Sequence, residues 1–253
     1  MKKYPVLTRY TLALPVPEPF SFAFLSDLHE CEPEPVLTAL RSLSPDAVFV
    51  GGDFVHGENA CQNGKQILKA ASRLAPLFAS VGNHERGAGL ALFPFFRETG
   101  GTLLDNSFTV FRGITVGGLS SGFSLCGKQG NRKETPAPDF AFLSCFAAEP
   151  GVKILLSHHP EYYPAYIRPL PVDLTLSGHA HGGQWRFFGH GVFAPGQGIF
   201  PKYTSGCYDG GRLVVSRGLG NKSPVPRLFN PTEIISIRIE PRSSPADGNS
   251  QRK

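Results

Sequence analysis

Phe22-Ala23-Phe24-Leu25-Ser26-Asp27-Leu28-His29 is the stretch on which the fold turns: an apolar run leads straight into two metal-ligand side chains two residues apart. The run reads as a buried strand, with Asp27 and His29 beyond its carboxyl end. The arrangement recurs. Ala47-Val48-Phe49-Val50 leads to Gly52-Asp53, and Leu77-Phe78-Ala79-Ser80-Val81 to Gly82-Asn83-His84-Glu85. Val152-Lys153-Ile154-Leu155-Leu156 leads to Ser157-His158, and Val172-Asp173-Leu174-Thr175-Leu176 to Gly178-His179-Ala180-His181-Gly182-Gly183-Gln184. In an extended segment side chains at i and i+2 share a face, so Asp27 with His29, and His179 with His181, are each expected to converge on one point. If the runs are neighbours in one sheet, the turns after them lie together at the carboxyl ends, where open α/β sheets place their sites.

Working outward, the pattern gives a strand around Thr8–Leu14, strand 20–26, helix 34–43, strand 46–51, helix 63–74 and strand 77–82. A helix over 87–98, broken by Pro94, follows. Short strands Ser107–Phe111 and Ile114–Gly118, a helix over 137–147 and strands 152–157 and 172–177 come next. Beyond the paired histidines the chain turns β-rich, ending in Arg212–Val215 and Glu233–Ile239. The first half reads as βαβ units and the second as a mixed sheet, so the class is α/β (α+β), with two packed mixed sheets flanked by helices. Residues 1–240 are expected to form a single domain, because no polar linker or repeat divides them. Residues 241–253, rich in Ser, Pro, Gly and Asn, read as a flexible tail.

The net charge of +5 hints at nucleic acid, but its distribution argues against a specific footprint. Lys2, Lys3 and Arg9 stand against Glu18 near one end, and Arg242, Arg252 and Lys253 against Asp247 at the other, leaving the middle near +1. No basic stripe remains. The five cysteines are scattered, with no CxxC pair, which favours free thiols in a reducing compartment. Arg9 and Pro15-Val16-Pro17 interrupt the segment after Lys2 and Lys3, so no signal peptide or membrane span is evident. The expected location is cytoplasmic, peripheral to the membrane at most.

In order and spacing, Asp27-Leu28-His29, Gly52-Asp53, Gly82-Asn83-His84-Glu85, His158 and Gly178-His179-Ala180-His181 resemble the calcineurin-like metallophosphoesterase superfamily, over about residues 20–240. The extended Gly-His-Ala-His-Gly-Gly-Gln and Val215-Ser216-Arg217-Gly218-Leu219-Gly220 look like the bacterial branch of small phosphodiesterases and UDP-diacylglucosamine pyrophosphohydrolases. The resemblance implies an αββα sandwich and two divalent metal ions, Mn, Zn or Fe. One would be held by Asp27, His29, Asp53 and His181 and the other by Asp53, Asn83, His158 and His179, with Asp53 as the bridge. By the same similarity His84 is catalytic: it points at substrate, stabilising the transition state or protonating the leaving oxygen. The implied reaction is in-line attack of a metal-bridging hydroxide on a phosphodiester or pyrophosphate, the alternatives being a phosphomonoesterase of the same fold or a non-catalytic metal-binding module. Phosphoprotein phosphatases read Gly-Asp-x-x-Asp-Arg-Gly, whereas this chain reads Gly52-Asp53-Phe54-Val55-His56-Gly57. The missing arginine tilts the substrate towards diester or pyrophosphate, and His56 cannot orient His84 as the aspartate does.

The implied substrate is a small phosphorylated molecule, a lipid or nucleotide-sugar among the candidates. The basic loop Lys128-Gln129-Gly130-Asn131-Arg132-Lys133 is a candidate for its anionic portion through Lys128 and Arg132. His159, next to His158, is a candidate substrate contact, while His56 and His190 read as packing or surface residues. Gly118-Leu119-Ser120-Ser121-Gly122 matches the G-x-S-x-G elbow of serine hydrolases. An elbow must open into a helix, and the Gly-rich polar Phe123–Asn131 stretch does not suggest one.

Overall fold

The computed structural model describes residues 4–29, 31–55, 62–88, 92–122, 136–221 and 225–242. Its first half comprises β1 (Val6–Leu14), β2 (Phe20–Leu25), α1 (Pro33–Leu43), β3 (Ala47–Val50), α2 (Gln62–Leu74), β4 (Leu77–Ser80), α3 (Asn83–Ala88), α4 (Leu92–Arg97) and β5 (Thr102–Leu104). Then come β6 (Ser107–Phe111), β7 (Ile114–Leu119), α5 (Phe140–Ala148), β8 (Lys153–Ser157) and β9 (Leu174–Ser177). The short ribbons β10 (Arg186–Phe187), β11 (His190–Gly191), β12 (Phe193–Ala194) and β13 (Gly198–Ile199) precede β14 (Gly206–Tyr208), β15 (Leu213–Val215) and β16 (Glu233–Pro241).

Two six-stranded mixed sheets result, ordered β1-β16-β2-β3-β4-β5 and β14-β15-β9-β8-β7-β6. In the first, β2 to β5 run parallel, while β16 is antiparallel to β2 and parallel to β1. In the second, β15, β9, β8 and β7 run parallel between antiparallel edges.

Strand alternation divides the side chains between two apolar layers. Phe20, Phe22 and Phe24 of β2 and Phe49 of β3 face inward, meeting Ile154 and Leu156 of β8 and Leu174 and Leu176 of β9 between the sheets. Their neighbours Ala23, Leu25, Val48 and Val50 face outward onto Leu37 and Leu40 of α1 and Ile67 and Leu68 of α2. On the far side Leu155 packs with Phe142 and Phe146 of α5 and with Tyr162 and Tyr163. Strands buried on both faces read as continuous apolar runs, which is why they stood out in the sequence.

Two elements depart from the sequence expectation. The helix expected over 87–98 is two pieces, α3 beginning at Asn83 and α4 carrying Pro94 in its first turn, where a missing N–H costs no intrahelical bond. β5 is too short for an alternating signature and forms by pairing Phe78 to Ser80 with Thr102 to Leu104. Phe95 and Phe96 of α4 are buried against Phe54, so this end of the apolar Leu90–Phe96 run serves packing.

Phe49 is fully buried, 4.6 Å from Phe22 and 5.7 Å from Phe78 between ring centroids. Phe49→Ala leaves a cavity where the sheets meet and should cost about 3–5 kcal/mol in denaturant titration; a loss under about 1 kcal/mol would contradict this packing.

Candidate metal centre

The strands stop short of the residues that matter. β2 ends at Leu25 and β9 at Ser177; Asp27, His29, Asp53 and His179 lie in loops and His181 opens a 3-10 turn, all with left-handed backbones, φ 51°, 42°, 56°, 62° and 45°. The expected convergence by strand pleat is therefore replaced by convergence through left-handed turns. Such a conformation costs an L-residue about 1 kcal/mol or more and persists where the surroundings enforce it. Gly52, at φ 87°, is part of that enforcement: a Cβ there would sit 2.8 Å from Gly82 N and 2.9 Å from His158 Nδ1. A Cβ on Gly178 would lie 2.5 Å from Asp27 Oδ2.

These loops bring the side chains of both sheets to one point. Asp27, His29 and His181 present ligand atoms within 4.8 Å of one another, as do Asp53, His158 and His179. Asp53 ties the groups together, its Oδ2 being 3.2 Å from His158 Nε2 and 3.9 Å from both His29 Nε2 and His84 Nε2. Asp27 Oδ1 lies 3.6 Å from His181 Nε2 and 3.9 Å from His158 Nε2. Asn83, opening α3, has its Oδ1 buried with no hydrogen-bond partner. A buried amide oxygen without a partner among the described residues, next in sequence to His84, whose N–H donates to Asp53 Oδ1, can join carboxylates and imidazoles in a donor set suited to a borderline divalent cation.

Residues 20–183 match the calcineurin-like phosphoesterase family. The chain belongs to that family. This phosphoesterase is 30% identical over 213 residues to the metallophosphoesterase YkuE of Bacillus subtilis, covering 79% of this chain and 70% of that one. It is likewise 30% identical over 222 residues to the phosphodiesterase YaeI of Escherichia coli, covering 80% and 76%. It is 25% identical over 281 residues to the UDP-2,3-diacylglucosamine pyrophosphatase LpxG of Chlamydia muridarum, covering 85% and 82%. The chain is accordingly a metal-dependent hydrolase of phosphoric esters.

The phosphoesterase sets the protonation of its site by burial and charge. Burial pushes His29 and His179 down to about 3, and also lowers His181, leaving neutral imidazoles able to donate a lone pair. Asp27 and Asp53 stay ionised: burial opposes the charge, but His181 and His158 hold Asp27 low, and His158 chiefly holds Asp53 well below the usual carboxylate range. His158 goes the other way. Burial would lower it, but Asp53 and Asp27 raise it to about 10. Its Nδ1 lies 2.7 Å from Gly51 O, so that nitrogen donates and Nε2 faces the two carboxylates.

Several supporting residues take roles that the sequence does not assign. Glu85 accepts from the N–H groups of Asp53 (2.7 Å), Gly82 (2.7 Å) and Val55 (3.0 Å), clamping the Asp53 loop to the Asn83 loop. Burial first and the Asp53 charge second push it up to about 8. Arg227 Nη2 lies 3.1 Å from His181 Nδ1, and Asn230 Nδ2 donates to His181 O at 2.7 Å. Gly218 and Gly220 of the Val215–Gly220 motif lie against Asp27 and His29, and Gly220 N donates to Asp27 O.

The remaining candidates fall in several places. The His84 N–H donates to Asp53 Oδ1 at 3.0 Å, and its ring meets that of His29 edge-on at 4.8 Å. His159 is buried 2.7 Å from Ser121 Oγ and 4.3 Å, ring to ring, from His179. Cys31, the cysteine two residues after His29, packs against the helix-side core. The Ser120 hydroxyl is buried and donates to Asp105 Oδ1 at 2.5 Å, leaving the G-x-S-x-G pattern no exposed nucleophile. His56 and the Lys128, Arg132 and Lys133 loop lie outside the described residues.

Because the folded value of His158 exceeds its ordinary 6.5, its contribution is fully present below pH 6.5 and is lost as pH rises through about 10. Denaturant titrations of chelated protein should therefore show stability declining over that window, with the slope flattened in His158→Gln. An unchanged slope in the variant would refute the assignment. Glu85→Gln places an amide donor against one of three backbone donors and should cost about 1–3 kcal/mol, read by the same titration.

Proposed function

We propose that the chain hydrolyses a phosphodiester or pyrophosphate bond at a dinuclear centre. The observation that carries this is the reach of Asp53 to both donor groups, Asp27-His29-His181 on one side and His158-His179 on the other. Asp27, His29, Asp53 and His181 would hold one divalent cation, and Asp53, Asn83, His158 and His179 the other. When bound, the pair supplies charge neutralisation for phosphoryl oxygens and acidification of the attacking water.

The protein's own contribution is positional. Neutral Asn83 and three neutral imidazoles limit the negative charge an anionic substrate meets. His84 is buried beside this cluster, its Nε2 3.9 Å from Asp53 Oδ2, where it would donate a hydrogen bond or proton to the departing oxygen. Loops of opposite sheets carry the donors, so in-line geometry is fixed by sheet packing. The phosphodiesterase and pyrophosphatase names of two relatives, together with the absence of the phosphatase arginine after Asp53, favour a diester or pyrophosphate, with lipid and nucleotide-sugar portions the candidates for its remainder.

Metal-loaded protein should hydrolyse bis-p-nitrophenyl phosphate, chelator should stop it, and Asp53→Asn should not recover on cation addition; full activity after chelation would sink the proposal. His84→Ala should lower kcat by about 10²–10⁴ with metal content unchanged. His179→Ala and His181→Ala should each lower the bound-metal ratio from two to one by elemental analysis, and variants retaining both ions would show the ligand assignment to be wrong.

A further inference from the structure

Between Trp185 and Phe229 the chain exposes large apolar side chains that no folding argument accounts for. Trp185, Phe187, Phe188, Phe193, Ile199, Phe200, Val225, Leu228 and Phe229 are all exposed, Phe188 fully (102%), Phe200 at 79% and Phe229 at 72%. They belong to one hydrogen-bonded assembly. Trp185 bridges Leu228, the Phe187 and Phe229 rings meet at 5.7 Å, Val192 N donates to Trp185 O, and Phe200 N donates to Val192 O. Phe193 pairs with Ile199 across β12 and β13, which puts both side chains on one face.

The backbone adds a second, independent sign. Phe188, Phe200 and Phe229 have φ of 50°, 51° and 52°, a region where Gly or Asn is at ease and a bulky aromatic is strained. Three strained, solvent-facing phenylalanines cost the isolated chain twice, in backbone energy and in hydration. Charge then selects the partner. Residues 185–208 and 217–230 contain Arg186, Lys202, Arg217, Lys222 and Arg227 and not one Asp or Glu. Glu233 neutralises Arg217 and Arg227 is turned inward beside His181, so the positive charge of this face comes from half-buried Arg186 and exposed Lys202, with no carboxylate among its residues. Aromatic rings amid basic residues suit the interface of an anionic bilayer. No helix among the described residues is long and apolar enough to cross a membrane, and the ribbon itself would act at the membrane surface.

We propose that the Trp185–Phe229 ribbon docks the protein on an anionic lipid surface, with Phe188, Phe200 and Phe229 entering the headgroup region. The ribbon leaves the metal loop directly, Arg186 Nη1 donating to Gly182 O at 2.8 Å, so docking would hold the catalytic edge close to the membrane.

The test uses the full chain with phosphatidylglycerol/phosphatidylcholine vesicles and with phosphatidylcholine alone, chelator present throughout so that the outcome is independent of hydrolysis. Trp185, the sole tryptophan, reports contact directly: its fluorescence should be quenched by brominated phosphatidylglycerol vesicles. Phe188→Asn/Phe200→Asn/Phe229→Asn keeps residues tolerant of the left-handed backbone and should lower vesicle partitioning at least about tenfold, with bis-p-nitrophenyl phosphate hydrolysis unchanged. Added salt should weaken binding. No binding to the anionic vesicles, equal binding to the neutral ones, or a ribbon buried instead in a dimer that the triple variant dissolves would each overturn the proposal; unquenched Trp185 would do so even if the variant failed to fold.

Discussion

One seam governs the rest of the molecule, the contact between loops of opposite sheets in which both oxygens of Asp27 accept the His179 N–H at 3.1 Å. Asp27 follows β2 of the first sheet and His179 follows β9 of the second, 152 positions later. The same seam is stitched again where His158 Nδ1 donates to Gly51 O and its other nitrogen meets Asp53. Neither sheet owns a complete donor set. Packing of Phe22, Phe24 and Phe49 against Ile154, Leu156, Leu174 and Leu176 thus acts on chemistry: it sets how far apart the two rows of loops stand. A core that holds a donor set to fractions of an ångström is worth more to an enzyme than its burial energy alone.

Much of this was legible in the sequence. Strands buried on both faces announce themselves as unbroken apolar runs, and polar residues immediately after them mark the edge where a site can form. Asp27, Asp53, His158, His179 and His181 were found that way, and the structure places them within reach of one another. The side chains converge through left-handed turns and not through the strand pleat, a difference hidden from the sequence because periodicity says nothing about φ. A left-handed aspartate and an extended one look identical in a sequence, and only close approach at glycines such as Gly52 and Gly178 hints at the difference. Glu85, although part of the Gly82–Glu85 motif, has no role that the sequence assigns, and Arg227 and Asn230 carry no signal at all, because their work is done through space on backbone atoms and ring nitrogens distant in the chain.

The exposed phenylalanines of the ribbon were hidden for a related reason. A phenylalanine in a sequence is scored as core by default, and 20 of them read as aromatic bulk for the interior. Two-residue strands have no periodicity to assign a face, so Phe187, Phe188 and Phe200 could be placed outside only by the fold itself.

The position of β16 bears on how the chain comes into being. This last strand lies between β1 and β2, so residues 233–241 must enter a gap between Val6–Leu14 and Phe20–Leu25, strands made long before them. Until then β2 keeps an unpaired edge, and Phe22 and Phe24 lack part of their cover, Ile235 and Ile237 of β16. The sheet whose loops carry Asp27, His29 and Asp53 is therefore complete only when residues 233–241 have joined it, so the seating of these side chains depends on the most distant pairing in the sequence.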